Sequence, residues 1–347
     1  GLGMPAGTPT TWVVPDLNAL DAIIGFSCNC VNSYGDFRLT ALPGETRSAY
    51  ERSTGIYAQV DWDTMLGNIG FRGNFGVRYV ETDLRATGSQ TQGTTVTTQT
   101  VRHSYDEVLP ALNLVFEPMD NLLIRFAAAE TMARPGLDTL TPGGSVDTVP
   151  PGLSLNIGNP FIEPIRSTNY DLSIEFYPYD EALFSIAFFY KDIDTFVQRL
   201  RATMPYSATG YPLSWLPAGV SPSDDFTVTR FVNTPGGHLQ GFEVSLQTPF
   251  SFLPAPFDRF GTVISYTSID SEVQYETDVD PLTPPVFEKL VGASPTSLSG
   301  TLYYEHGPFE ARISAVYRDE YLTLVAASSG KDVEGKAEQR NVDMLIS

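Results

Sequence analysis

Hydrophobicity along this chain repeats with a period of two. Between Ile69 and Asp83, Ile69, Phe71, Phe75, Val77 and Tyr79 fall on one side, while Gly70, Arg72, Asn74, Gly76 and Arg78 fall on the other. A β-strand points successive side chains to opposite faces, so this pattern makes a strand with one apolar and one polar face. The alternation returns in Thr168–Tyr177, Phe184–Lys191, Leu239–Gln247 and Phe309–Tyr317. One stretch departs from it: Asp16–Phe26 carries Leu17, Leu20, Ile23 and Ile24 at helical spacing, with Asp16 placed as a cap.

The connections add a second constraint. Short ones (Asp63–Asn68, Pro118–Asp120, Pro178–Glu181, His306–Pro308) and the Pro-rich Thr248–Asp258 alternate with long ones: Leu84–Thr94, Met132–Ser167, Arg199–Asp225, Asp270–Pro295 and Glu320–Gln339. An antiparallel meander does this when one end of its sheet has tight turns and the other has excursions. Keeping that parity makes Phe226–Gln247 a single strand, with a bulge expected at Gly236-Gly237. The reading gives about eleven strands, well above the mean for a soluble sheet.

Two architectures accommodate such a meander. In a soluble sandwich or propeller the apolar face packs a core. In an up-and-down membrane barrel it faces lipid. Three features favour the barrel. Short turns gather at one end of the strands. Aromatic residues sit beside those turns: Trp62, Phe71, Phe116, Phe176, Phe184, Tyr304 and Phe309. Charged residues lie mid-strand on the polar face, where a wet lumen tolerates them. The polar set expected to face that lumen is Arg72, Asn74, Arg78, Arg125, Asp171, Glu175, Lys191, Glu243 and Arg312.

Composition removes other classes. The net charge is −20, from 21 basic and 41 acidic residues, which is the wrong sign for neutralising nucleic-acid phosphates. A hydrophobic fraction of 42% with 12% aromatics is too apolar for a disordered acidic chain. There is no apolar run long enough for a transmembrane helix. Cys28 and Cys30 lack the second cluster that zinc ligation needs, and they read as two thiols or a local bridge in a loop.

No catalytic signature is present. His103, His238 and His306 are widely spaced, beside turns or loops, and neither a phosphate loop nor a nucleophile elbow occurs. The expectation is a protein that is not an enzyme and needs no cofactor or metal. The loop Arg199–Asp225 holds Tyr206, Tyr211 and Trp215, which either stack on a ligand or anchor the loop. The loop Asp270–Pro295 is acidic and reads as a solvated surface.

The same residues resemble a known family. GNFGVRYVETD at Gly73–Asp83, YDEVLPALNLVFEP at Tyr105–Pro118, ARPGLDTLTPG at Ala133–Gly143, the stretch Asn156–Val197 with its NPF, NYD and FYKD segments, and LQGFEVSLQTPF at Leu239–Phe250 occur in the order seen in TonB-dependent outer-membrane receptors of the large proteobacterial type. The resemblance runs from about Glu51 to the end. It implies a transmembrane antiparallel β-barrel in the bacterial outer membrane, of which these eleven strands are part of a wall of about 22. Residues 1–50 then form a long extracellular loop region with a short helix, and 51–347 the barrel strands. The implied function is energy-coupled uptake of a bulky nutrient, such as a siderophore or an oligosaccharide. The implied partners are outer-membrane lipid, the nutrient, and a TonB complex acting through an N-terminal part not visible in the sequence; nucleic acid is not among them. A passive porin or structural barrel is the alternative. With neither plug nor closing strand visible, the chain is expected to be a piece of a larger barrel that does not close by itself.

Overall fold

A computed structural model describes residues 16–38, 47–92, 95–142, 144–147, 153–209, 213, 216, 219–277, 284–325 and 333–347. The chain divides into two units, Gly1–Pro43 and Gly44–Ser347. In the first, α1 spans Leu17–Ile24, and the Asp16 carboxylate accepts hydrogen bonds from the Asn18 and Ala19 amides, both at 3.0 Å. That satisfies two of the amides a helix start leaves unpaired. Gly25 closes the helix in the left-handed region with φ of 62°. A short turn at Phe26–Cys28 and a left-handed Asn29 then bring the Cys28 and Cys30 Cα atoms to 5.2 Å, where a disulfide joins them. The two-residue strands β1 (Val31–Asn32) and β2 (Gly35–Asp36) pair as a hairpin.

The second unit is a sheet. Its strands are β3 (Arg47–Leu66), β4 (Ile69–Gln92), β5 (Thr95–Met119), β6 (Leu122–Ala133), β7 (Gly144–Asp147), β8 (Ser154–Ile157), β9 (Ile165–Phe176), β10 (Leu183–Pro205), β11 (Asp225–Pro249), β12 (Phe260–Tyr275), β13 (Val286–Glu288), β14 (Thr296–His306), β15 (Phe309–Arg318), β16 (Tyr321–Val325), β17 (Val333–Lys336) and β18 (Gln339–Ile346). Eleven of them form one antiparallel path, β3-β4-β5-β6-β9-β10-β11-β12-β14-β15-β18, as the alternation requires. β7, β8 and β13 attach beside this path, and β16 and β17 pair separately. Among the described residues β3 and β18 are the two ends of the path and do not pair with each other.

Register confirms that the sheet has two chemically different faces. One cross-strand row reads Phe71, Phe116, Ile124, Ile174, Ile186, Val244, Tyr266, Leu298, Tyr317 across nine strands. Apolar side chains on this face are open: Ile56 is 72% exposed and Phe75 47% exposed. A contiguous apolar surface of that extent marks contact with a partner or with lipid. At the short-turn edge, Phe71 stacks on Phe116 at 4.9 Å between ring centroids, and Phe260 and Phe309 meet Tyr304 at 4.9 and 6.0 Å.

Two details differ from the sequence reading. Phe226–Gln247 does lie within the single strand β11, but no bulge occurs at the glycines. Ile193 pairs with Gly237 and Thr195 with Pro235, so the register with β10 is unbroken there. The glycines serve close backbone approach instead: a Cβ on Gly236 would lie 1.9 Å from the Ile193 carbonyl oxygen, and one on Gly237 2.1 Å from that of Glu272. The long connections are also shorter than expected, because strands run on into them. β4, β5, β10 and β11 reach 24, 25, 23 and 25 residues, about twice the 9–11 residues needed to cross a bilayer. His103 and His238 therefore lie inside β5 and β11 rather than beside turns.

These extensions carry the buried core. Leu84 and Ala86 of β4 pack with Leu140 and Ile162 of the connection from β6 to β9, joined by Val197 and Phe231. Leu155, Ile157, Tyr206, Phe226 and Val228 form a second cluster, where β8 adds in parallel to β11.

Candidate functional site: the polar face of the wall

Strand register places all nine predicted polar residues on one face. Arg72 lies across from Val115, Val115 from Arg125, Arg125 from Ser173, Ser173 from Ala187, and Ala187 from Glu243. Asp171 and Glu175 flank Ser173 at spacing two, Asn74 and Arg78 follow Arg72 with the same parity, and Lys191 lies four residues beyond Ala187. Arg312 faces Tyr303, and Tyr303 faces Gly261, which continues the same side.

Part of this face is tied into cross-strand pairs. Arg72 forms an ion pair with Glu117. The Asn113 amide donates to the Asn74 side-chain oxygen at 2.9 Å. Arg125 Nε donates to Glu175 Oε1 at 2.9 Å, and the Tyr177 hydroxyl donates to Glu175 Oε2 at 2.9 Å. Toward the long-loop edge, Arg166 donates to Glu107 at 2.8 Å and to Glu163 at 3.0 Å, and Arg134 lies 3.3 Å from Glu51. By contrast, Arg78, Asp171, Lys191, Glu243 and Arg312 enter no ion pair among the described residues. The result is a polar surface with some groups locked by a neighbouring strand and others free to meet solvent or solute.

Moving up β4, the same face changes character. Val80, Leu84 and Ala86 are buried, and the connection from β6 to β9 packs over Leu84 and Ala86 through Leu140 and Ile162. Beside this lid, His103 packs edge-on against Phe161, and its Nε2, like the Tyr105 hydroxyl, is buried without a hydrogen-bond partner.

The loop aromatics have separate outcomes. Tyr206 is fully buried, its ring 5.0 Å from that of Phe226 in an edge-on contact, so it occupies the anchoring position and not a ligand-facing one. Tyr211 and Trp215 lie outside the described residues. On the next hairpin, the Tyr275 hydroxyl donates to the Lys289 carbonyl at 3.2 Å and accepts from the Val291 amide at 3.0 Å. Burial pushes this phenol above its ordinary pKa, and the Val291 hydrogen bond offsets part of that rise.

Glu117, Asn113, Glu107 and Asn169 belong to the polar face but were absent from the predicted set. Applying the two-residue period to Tyr105–Pro118 would have found the first three, since all share the parity of Val115.

A family model described as TonB dependent receptor-like, beta-barrel matches residues 16–340. Among solved structures, the chain is similar to the siderophore receptor PiuA from Acinetobacter baumannii, with 15% identity, a TM-score of 0.54, and coverage of 86% of this chain and 37% of that one. It is also similar to the ferric yersiniabactin uptake receptor FyuA from Yersinia pestis, with 12% identity, a TM-score of 0.50, and coverage of 86% and 38%. At such identities the likeness shows the fold. The chain spans between 37% and 51% of the length of the solved receptors it matches. No curated protein sequence matches it.

Proposed function

The chain belongs to the TonB-dependent receptor β-barrel family, and from that premise we propose that it forms the wall through which a bulky nutrient crosses a bacterial outer membrane. The observation that carries this reading is the segregation of the sheet into two faces. The apolar row from Phe71 to Tyr317 suits lipid, and the parallel row through Arg72, Arg125 and Glu243 suits a wet lumen. The tight turns then lie on the periplasmic side. The long connections lie on the extracellular side, where ligand is captured.

In this reading the wall makes and breaks no bond in its cargo. The unpaired lumenal groups Arg78, Asp171, Lys191, Glu243 and Arg312 shape the solute path, and the Arg125–Glu175 and Arg72–Glu117 pairs hold neighbouring strands in register. Energy arrives through a plug domain and an inner-membrane TonB complex. A ferric siderophore is the first cargo class to test, since PiuA is a siderophore receptor and FyuA a ferric yersiniabactin uptake receptor; an oligosaccharide is the second.

The test is uptake by intact cells with the gene deleted and restored, with and without a protonophore. Uptake that needs both the gene and the proton gradient supports the proposal. Gene-dependent uptake that continues without the gradient and rises linearly with concentration overturns it in favour of a passive pore.

A further inference from the structure

On the outer side of β3, β4 and β5, beyond the apolar band, lies a groove of about 690 Å³ whose lining includes Tyr50, Arg52, Asp83, Arg85 and Arg102. We propose that this groove holds the phosphorylated sugar headgroup of an outer-leaflet glycolipid. The inference rests on the membrane reading above.

Parity sets the direction of these side chains. Asp83 and Arg85 continue the series Phe71, Phe75, Val77, Tyr79, so they share the lipid face and not the lumenal one. Arg52 pairs with Asp83, Tyr50 with Arg85, and Arg85 with Arg102, which places all of them on that side. A cargo inside the barrel does not reach them.

Charge points to an anion. Arg85 and Arg102 lie directly across from each other, a like-charge pairing that weakens a sheet unless something neutralises it. Among the described residues, neither of them nor Arg52 forms an ion pair, whereas Arg72, Arg125, Arg134 and Arg166 each have a carboxylate. This happens in a chain with twenty excess negative charges, where carboxylate partners are abundant. All three arginines are exposed, and a planar guanidinium matches phosphate oxygens with two parallel donors.

Height selects among anionic lipids. Tyr79 ends the apolar band on β4, and Arg85 lies six residues beyond it, about 20 Å along the strand and about 15 Å above the band at a tilt of about 40°. Between the two, Glu81 faces Asp106 across β4 and β5, and this acidic row repels a phosphate lying at the band's edge. The favoured phosphate therefore sits higher, beyond the reach of an ordinary phospholipid but within that of a phosphorylated sugar core. Tyr50, 65% exposed, supplies a face for a sugar ring, and Ser48, Thr87 and Ser104 line the same groove with hydroxyls.

The experiment titrates the detergent-extracted protein with rough-type lipopolysaccharide, with the same glycolipid after dephosphorylation, and with inorganic phosphate. R85Q/R102Q is expected to weaken lipopolysaccharide binding by about tenfold or more, and the charge-keeping R85K/R102K to restore most of it. Dephosphorylated glycolipid is expected to bind wild type and R85Q/R102Q equally. Equal lipopolysaccharide affinity of wild type and R85Q/R102Q would overturn the site. Inorganic phosphate competing as tightly as the glycolipid would overturn the lipid assignment. Insertion of the full-length protein into phosphatidylcholine vesicles reads the apolar band alone; failure there would overturn the membrane reading and this site with it.

Discussion

Arg125 on β6 and Glu175 on β9 are joined by a hydrogen-bonded ion pair of 2.9 Å across two neighbouring strands, 50 residues apart in sequence. Ile174, the residue before Glu175, points to the other side and aligns with Ile124 and Ile186. Two adjacent positions on one strand therefore lie on opposite faces of the sheet, and under the proposed function each gives a different mutational outcome.

The first prediction uses that contrast. Glu175→Gln removes a charge from a half-exposed pair on a wet face, where such pairs contribute about 0–1 kcal/mol. Ile174→Arg places a cation on the apolar face toward the short-turn end of β9, a cost of about 1–3 kcal/mol, between the values for the mid-plane and the interface. In urea unfolding of the full-length protein inserted in vesicles, the Ile174→Arg midpoint should fall more than that of Glu175→Gln. Equal shifts would mean that the two faces meet the same solvent.

A second prediction concerns glycines in strands. A Cβ at Gly237 would lie 2.1 Å from the Glu272 carbonyl oxygen, whereas one at Gly300 meets nothing within 4 Å. Gly237→Ala must push two backbones apart and should cost about 1–3 kcal/mol or more. Gly300→Ala should be neutral or slightly stabilising, because Ala loses less backbone freedom on folding. Thermal unfolding of the two variants separates these cases.

The contrast between Gly237 and the expected bulge shows what a single sequence discloses. Alternation fixed side-chain direction well: it found the eleven-strand path and put Arg72, Arg125 and Glu243 on one face, because strand geometry leaves no other choice once the register parity is set. It did not reveal how far β4 and β5 extend. Thr95–Thr100 and the end of β4 are polar at almost every position, so above the apolar band neither face shows a hydrophobic period. Nor did it locate Tyr206 in a core, since that burial depends on Leu155 and Phe226, whose segments meet only through the parallel β8–β11 pairing. The Cys28–Cys30 bridge was equally open in sequence, because it depends on the left-handed turn at Asn29.

Tyr206 gives a third prediction. Its ring is fully buried against Phe226, so Tyr206→Ala should leave a cavity that destabilises the loop packing by about 3–5 kcal/mol. The barrel strands below do not share that cluster. Limited proteolysis should cut between Pro205 and Asp225 sooner in the variant, while the membrane-inserted strands stay protected. An unchanged cleavage rate would show that the ring does not anchor the loop.

The last prediction concerns Tyr275, whose phenol holds the start of the connection beyond β13 through Lys289 and Val291. Tyr275→Phe removes both hydrogen bonds and leaves the Val291 amide without its acceptor, a local loss of about 1–3 kcal/mol. Burial raises the folded-state pKa of this acid, so the folded protein holds the phenolic proton more tightly than an opened hairpin does. Stability from this group is then complete below the ordinary tyrosine pKa of about 10, and it falls as pH rises through and above that value. Hydrogen exchange at the Leu290 and Val291 amides should accelerate between about pH 9 and 11 beyond the intrinsic base-catalysed rate. The Tyr275→Phe variant should start from faster exchange and show no such extra step.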